Sequence, residues 1–297
     1  MVKEGYDRKF AAGVNSASAT IGAIIPPSIT MVIYGSVTNI SVGALFLAGI
    51  IPGLLVGLAM MGVVWFLSVR RGYPRAEYMA WRDRFIPVLT AMPALLAPFI
   101  ILGCIFTGAT TPTEAGVIAA AYALFLGFFV YREIKLRDMW SILTETVEAT
   151  AVPVYIIAAG SVFGFALTTS GFGFLVQDAM RGLATDPLTF LIIVAAIFMV
   201  IGLFVEGTAA MLIFVPIFMP LVASYGIDNL QFAIVVIITI LIGTITPPVG
   251  IQLFIAADIA RLSVFEVDIG PFVGIMLVVV ALIIAFPAIA TFLPGLL

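Results

Sequence analysis

The stretch IGAIIPPSI at residues 21–29 returns almost unchanged as IGTITPPVG at residues 242–250. In register, the two copies share Ile, Gly, Ile, Pro and Pro. Both lie in apolar runs that would otherwise be unbroken helices. A helix carried through Pro26 and Pro27 loses the two N–H groups that bond the carbonyls of Gly22 and Ala23, and Pro247 and Pro248 do the same to Gly243 and Thr244. An unsatisfied backbone group in hydrocarbon costs several kcal/mol, so these carbonyls must meet protein, water or an ion.

Hydrocarbon is the expected surrounding. Of 297 residues 63% are hydrophobic and 10% charged, with a mean hydropathy of +1.26. That is more apolar surface than one water-soluble core can hide. Apolar runs of the ~20 residues that span a bilayer recur along the chain, so the fold class is an all-α integral membrane protein with the lipid bilayer as its solvent. A net charge of -3 speaks against a nucleic-acid partner. The sequence has no His and a single Cys, Cys104, which excludes disulfides within the chain, histidine metal sites and thiol–histidine catalysis.

Eleven of the 13 Lys and Arg residues fall in three patches: Lys3, Arg8 and Lys9; Arg70, Arg71, Arg75, Arg82 and Arg84; and Arg132, Lys135 and Arg137. The positive-inside rule makes these three segments cytoplasmic. Spans are then expected at about 11–38, 44–69, 85–106 and 113–131, followed by an amphipathic stretch at 137–150 and a further outward span. The apolar run after Asp186 is too long for one span and is interrupted at Glu206-Gly207-Thr208. Two crossings or one re-entrant hairpin fit, and the hairpin keeps Asp186 and Asp228 on one side. It also lets the span at about 229–258 end beside Arg261, before a last span at 265–293.

On this topology the two Pro-Pro copies run in opposite directions across the membrane. Gly49 and Gly53 recur as Gly270 and Gly274 at the same offset. An inverted repeat with discontinuous helices is how secondary transporters build a site near the bilayer midplane. The freed carbonyls, with the hydroxyls of Ser18, Thr20, Thr244 and Thr246, suit a small hard cation such as sodium. Beyond each break a new half-helix, with Pro near its first position, exposes N–H groups near residues 28–30 and 249–251 that attract an anion.

Glu206 is an ionisable group at membrane depth, which is either functional or a cap on the hairpin's second helix. Thr111-Pro112-Thr113-Glu114 reads as a capping box. Gln252 and Asp258 either line a polar path or reach the cytoplasmic interface.

The segments GYDRKFAAGVNSASATIGAIIPPSI, TPTEAG, EGTAAMLIFVPIFMP and GTITPPVGIQLF, in this order, closely resemble the large permease subunit of the tripartite ATP-independent periplasmic (TRAP) transporters, from residue 5 to the C-terminus. The resemblance implies a sodium-coupled, elevator-type importer of small organic acid anions, such as C4-dicarboxylates, in the bacterial inner membrane. Its implied partners are a small TRAP membrane subunit and a periplasmic substrate-binding protein. Matched by motif, the second hairpin tip falls on Glu206, Gly207 and Thr208, and the broken helices on Ser18 to Ser28 and Gly243 to Gly250. With the broken-helix argument this assigns substrate to Ser28, Glu206, Thr208, Gly250 and Gln252. Sodium, the coupling ion, goes to Ser18, Gly22, Ala23, Gly243, Thr244 and Thr246, with no other cofactor.

The implied division is residues 1–40 as the first broken helix and 41–150 as scaffold and connecting helices. Residues 151–260 form the second repeat, and 261–297 the C-terminal helix. The family's further N-terminal scaffold helices and first hairpin are expected ahead of Gly5, so the sequence reads as a fragment or as one half of a split permease. The alternatives are a stand-alone sodium/anion symporter of the ion-transporter superfamily and a truncated, non-transporting scaffold. An intramembrane enzyme lacks a visible nucleophile and base.

Overall fold

The structure is a computed structural model and describes residues 1–74 and 81–296. Arg75, from the second basic patch, lies outside the described residues. In chain order the α-helices are α1 Arg8–Ile24, α2 Ile29–Thr38, α3 Val42–Arg70, α4 Trp81–Phe106, α5 Pro112–Phe125, α6 Met139–Thr169, α7 Phe172–Leu183, α8 Pro187–Phe204, α9 Gly207–Ser224, α10 Asn229–Thr244, α11 Ile251–Ala260, α12 Gly270–Ala285 and α13 Ala288–Thr291. Among the described residues six helices are long and apolar enough to cross a membrane, and the bent α1–α2 pair makes a seventh candidate span. The all-α, polytopic membrane fold expected from composition is the fold observed, because helices satisfy their own backbone groups where no water is present.

The chain divides into two compact units, one formed by residues 1–74 with 156–297 and the other by residues 75–155. In the second unit α4 and α5 pack on each other. The Tyr122 hydroxyl donates to the Pro93 carbonyl at 2.7 Å and the Tyr131 hydroxyl to the Thr90 carbonyl at 2.9 Å. Thr111 and Glu114 form the expected capping box, with Pro112 opening α5. The amphipathic stretch and the span expected after it form one continuous helix, α6, which runs through Pro153.

In the first unit α10 is the central element. Every residue from Gln231 to Thr244 is buried, as expected of a helix that is apolar all round. Around it pack α8, α12, α3 and α9. Its start is fixed twice over. Asp228 accepts hydrogen bonds from the backbone N–H of Leu230 and Gln231. Gln231 in turn donates from Nε2 to the carbonyls of Ile283 and Ile284, at 3.0 and 3.2 Å. Pro287 leaves the Ile283 carbonyl without its usual N–H donor, and the buried amide supplies one.

The long apolar run after Asp186 folds into a helical hairpin. At its open end the Tyr225 hydroxyl donates to the Ala184 carbonyl at 2.8 Å, and the Tyr225 ring stacks on Phe190 at 4.8 Å. The end of α9 therefore returns to the start of α8, leaving Val205 and Glu206 at the closed tip.

At the opposite end of the unit, Arg71 after α3 pairs with Asp268 at 2.5 Å and lies 5.4 Å over the Phe10 ring. The Asp268 N–H donates to the Lys9 carbonyl at 3.3 Å, and Lys9 meets Glu266 at 3.6 Å. These contacts join the start of α1, the end of α3 and the segment before α12.

The glycines of the sequence repeat play unequal parts. A Cβ on Gly49 would stand 2.7 Å from the Ile24 carbonyl, so α3 sits directly against the first break, whereas the space beside Gly270 and Gly274 is open.

Candidate functional site

Both Pro-Pro segments interrupt their helices as the sequence demands. The first break turns the chain by 46° between α1 and α2. The second separates α10 from α11, and both Pro-Pro peptide bonds are cis. The prolines themselves stand inside the breaks, since the second half-helices open at Ile29 and Ile251, beyond Pro27 and Pro248.

The two breaks dispose of their backbone groups differently. At the first, the Ala23 carbonyl expected to be free accepts a 2.6 Å hydrogen bond from the Ser28 hydroxyl. The same Ser28 oxygen accepts from the Met31 N–H at 3.3 Å and caps α2. One buried side chain therefore bridges the break and occupies the N–H end of the new half-helix. At the second, the Gly243 carbonyl accepts from the Thr246 N–H at 3.0 Å, a tighter turn replacing the lost helical bond. Gly250 has φ +51° and no side chain caps α11. A Cβ on Gly250 would stand 2.7 Å from the Thr246 carbonyl oxygen and 3.1 Å from that of Thr244. Gly250 therefore packs directly against two main-chain oxygens, where no side chain fits.

The hairpin tip closes over this second break. The Gly250 N–H donates to the Leu203 carbonyl at the end of α8, at 3.2 Å. Glu206 caps α9: one carboxylate oxygen accepts from the N–H groups of Thr208 and Ala209, at 2.8 and 3.1 Å, and the other accepts from the Thr208 hydroxyl at 3.0 Å. Of the two sequence readings of Glu206, the cap on the hairpin's second helix is the one seen here.

Between tip and breaks lies a cavity of about 210 Å³. Ala23 and Thr30 come from the first broken helix, Glu206, Gly207 and Thr208 from the tip, and Ile240, Leu241, Thr244, Ile251 and Gln252 from the second broken helix. The Thr244 hydroxyl lies 2.8 Å from the Leu241 carbonyl and 3.1 Å from Gln252 Oε1, which holds the Gln252 amide in place.

Of the residues singled out from the sequence, Ala23, Glu206, Gly207, Thr208, Thr244 and Gln252 meet at this cavity. The others do not line it. Ser18 donates to the Asn15 carbonyl on its own helix and faces an apolar groove beside Trp65. Gly22 is exposed, Ser28 is taken up by the break, and Gly243 packs against Gly202 of α8. The Thr246 hydroxyl bonds back to the Ile242 carbonyl at 2.6 Å, Gly250 lies at the cavity's edge through its neighbour Ile251, and Asp258 is exposed on α11. Thr30 and Gly202 are additions. Thr30 was legible as a first-turn residue of the half-helix that Ser28 opens; Gly202, inside an apolar run, carried no local signal.

Among the described residues no three Asp, Glu, Cys or His side chains cluster to hold a metal ion. The oxygens that line the cavity are those of the Glu206 carboxylate, the Thr30, Thr208 and Thr244 hydroxyls and the Gln252 amide.

These features define a multi-span membrane protein with a polar cavity built at paired helix breaks, the arrangement of secondary transporters. The family model described as "Tripartite ATP-independent periplasmic transporter, DctM component" matches residues 1–289, and the chain belongs to that family. It is 36% identical over 293 residues to the sialic acid TRAP transporter large permease protein SiaM of Vibrio cholerae, covering 98% of this chain and 69% of the relative. It is 36% identical over 297 residues to the C4-dicarboxylate TRAP transporter large permease protein DctM of Pseudomonas aeruginosa, covering 99% and 70%. With the sialic acid TRAP transporter permease protein SiaT of Haemophilus influenzae it shares 35% identity over 295 residues, spanning 48% of that longer protein. The chain is a multi-pass inner-membrane protein, and its relatives are transporter permeases rather than enzymes.

Proposed function

We propose that this chain is the large permease subunit, or a part of it, of a TRAP system that imports a small organic acid anion together with sodium. The observation that carries the reading is the charge of the cavity. Among the described residues its lining holds one carboxylate, Glu206, and no basic side chain. An anion entering alone meets a like charge in a site of low dielectric, where repulsion is strong. A cation held at the second break, beside the Thr244 that lines the cavity, cancels that repulsion, and binding of the anion becomes conditional on the cation. This is the physical content of symport. A sequence with no histidine, and hydroxyl and main-chain oxygens at the break, favour sodium over a proton.

The partners in this reading are a small membrane subunit and a periplasmic binding protein, and the two broken helices with the hairpin are the part that moves, elevator fashion, with the cavity. The relatives' names mention sialic acid, C4-dicarboxylates, isethionate and 2,3-diketo-L-gulonate. All four are organic anions, which is the substrate class proposed. The test is uptake of these four radiolabelled acids into proteoliposomes containing the chain, its small subunit and its binding protein. Uptake of one of them under an inward sodium gradient, and none with choline, is expected; uptake indifferent to the cation would refute sodium coupling.

A further inference from the structure

A second recess lies at the end of the first unit opposite Arg71, which the positive-inside rule places away from the cytoplasm. Between α8 and α12, over α10, runs an apolar groove of about 320 Å³. Ala195, Ala196 and Met199 wall it on one side and Leu277 and Ala281 on the other. The Thr239 hydroxyl at its floor donates to α10 carbonyls, 2.8 Å from that of Val235 and 3.0 Å from that of Val236. Leu188, Ile284 and Ala285 line this groove and also a pocket of about 300 Å³ beyond it, so the two are continuous. The pocket lies where α8 and α10 begin and α12 ends, and Asp228 and Gln231 are its polar side chains.

Those side chains offer the pocket acceptors only. The Gln231 Nε2 group is spent on the Ile283 and Ile284 carbonyls, and two carbonyl partners fix which way the amide faces. Its Oε1, on a side chain 4% exposed, is left over and accepts no hydrogen bond from the protein among the described residues. Asp228 Oδ1 takes the N–H groups of Leu230 and Gln231, whereas Oδ2 takes none. The end of α12 adds the negative pole of its dipole, and among the described residues no basic side chain lines groove or pocket. A nearly buried amide oxygen without a partner, beside a free carboxylate oxygen, calls for a cationic N–H donor.

We infer that this recess binds a phospholipid of the periplasmic leaflet whose headgroup ends in a primary ammonium, as in phosphatidylethanolamine. The ammonium meets Asp228 Oδ2 and Gln231 Oε1, and one acyl chain lies in the groove. The lengths agree: from Leu188 to Met199 the helix rises ~16 Å, and one leaflet of a ~30 Å hydrocarbon core is ~15 Å deep. A choline headgroup carries the same charge but has no N–H to donate. A glycerol headgroup leaves the phosphate charge uncompensated in front of Asp228.

The experiment is native mass spectrometry of the delipidated, detergent-purified full chain, titrated with dioleoyl phosphatidylethanolamine, phosphatidylcholine or phosphatidylglycerol. The ethanolamine lipid should bind saturably and roughly tenfold more tightly than the choline lipid, with the glycerol lipid weakest. Asp228→Asn keeps the cap on α10, because Asn serves there as well as Asp, and should bring the ethanolamine and choline lipids level. Ala196→Phe and Ala281→Phe, both at exposed positions, fill the groove and should weaken all three lipids while leaving the unfolding midpoint of the lipid-free chain in place. Equal binding of the three lipids by the wild-type chain, or a preference for the glycerol lipid, overturns the proposal. So does an ethanolamine preference that survives intact in Asp228→Asn, or undiminished binding in both Phe variants, since either places the lipid elsewhere. A wild-type chain that retains none of the three also overturns it, and leaves the groove to a protein helix.

Discussion

Gly202 of α8 and Gly243 of α10 meet backbone to backbone: a Cβ on Gly243 would stand 2.6 Å from the Gly202 main chain and 2.5 Å from the Met199 carbonyl. The hairpin's first arm is seated on the second broken helix by this contact, one residue before the Leu203 carbonyl that receives the Gly250 N–H. Gly243→Ala must push the helices apart, because the obstructing atoms are backbone. Overpacking of this kind costs about 1–3 kcal/mol. Thermal unfolding of the variant should show a lowered midpoint and a reduced response to sodium, and an unchanged midpoint would mean that the contact yields freely.

Glu206 and Glu114 are both helix caps, and they separate capping from site chemistry. Glu206→Ala removes acceptors for two N–H groups of α9 and should lower stability by about 1 kcal/mol. Glu114→Ala removes the capping box of α5 and should also lower stability. Only the Glu206 variant is expected to change the dependence of anion binding on sodium, because its charge stands in the cavity. Equal ligand responses in the two variants would assign Glu206 to structure alone.

The second break depends on missing N–H groups. Pro247→Ala with Pro248→Ala returns two donors: one competes with the Thr246 N–H for the Gly243 carbonyl, and the other reaches the Thr244 carbonyl, which helical bonding would then occupy. Loss of the sodium response is the expected outcome, read by unfolding in matched sodium and choline chloride. A variant that keeps the full response would remove the argument that these breaks create the cation ligands.

Asp186 caps α8 outside the span, and its carboxylate is held below the ordinary aspartate range first by the Thr189 hydroxyl and then by the Thr189 N–H. A depressed folded pKa means that its stabilisation is fully present above the unfolded value of 3.8 and is lost as the pH falls through the folded value. Asp186→Asn should therefore differ from wild type in unfolding midpoint at neutral pH and converge with it in strong acid. A difference that persists unchanged at the lowest pH would place the effect elsewhere.

The legible parts of this molecule are those that one segment encodes by itself. The Pro-Pro breaks, the Glu206 turn and the Thr111 capping box are local chemistry, and they stand where the residues place them. The partners of the broken helices are tertiary. That Ser28 would satisfy Ala23 rather than leave its carbonyl for an ion depends on a rotamer across the break. That Gly202 meets Gly243 depends on how α8 lies on α10, and no periodicity in an all-apolar run signals the face involved. Gln231 carried no signal in the sequence, yet it is buried and donates to the Ile283 carbonyl that Pro287, 56 positions away, leaves without its N–H donor. The matched glycines near 49 and 270 mislead in the opposite sense, since equal spacing there does not mean equal packing.

The central claim is that the second break holds a cation in the folded chain. Unfolding of the purified protein in increasing sodium chloride, at an ionic strength kept constant with choline chloride, measures this directly, because a ligand bound only by the folded state stabilises it by RT ln(1 + [L]/Kd). The account predicts a saturable rise in the unfolding midpoint with sodium that choline does not produce. Midpoints that coincide at every sodium concentration would contradict it.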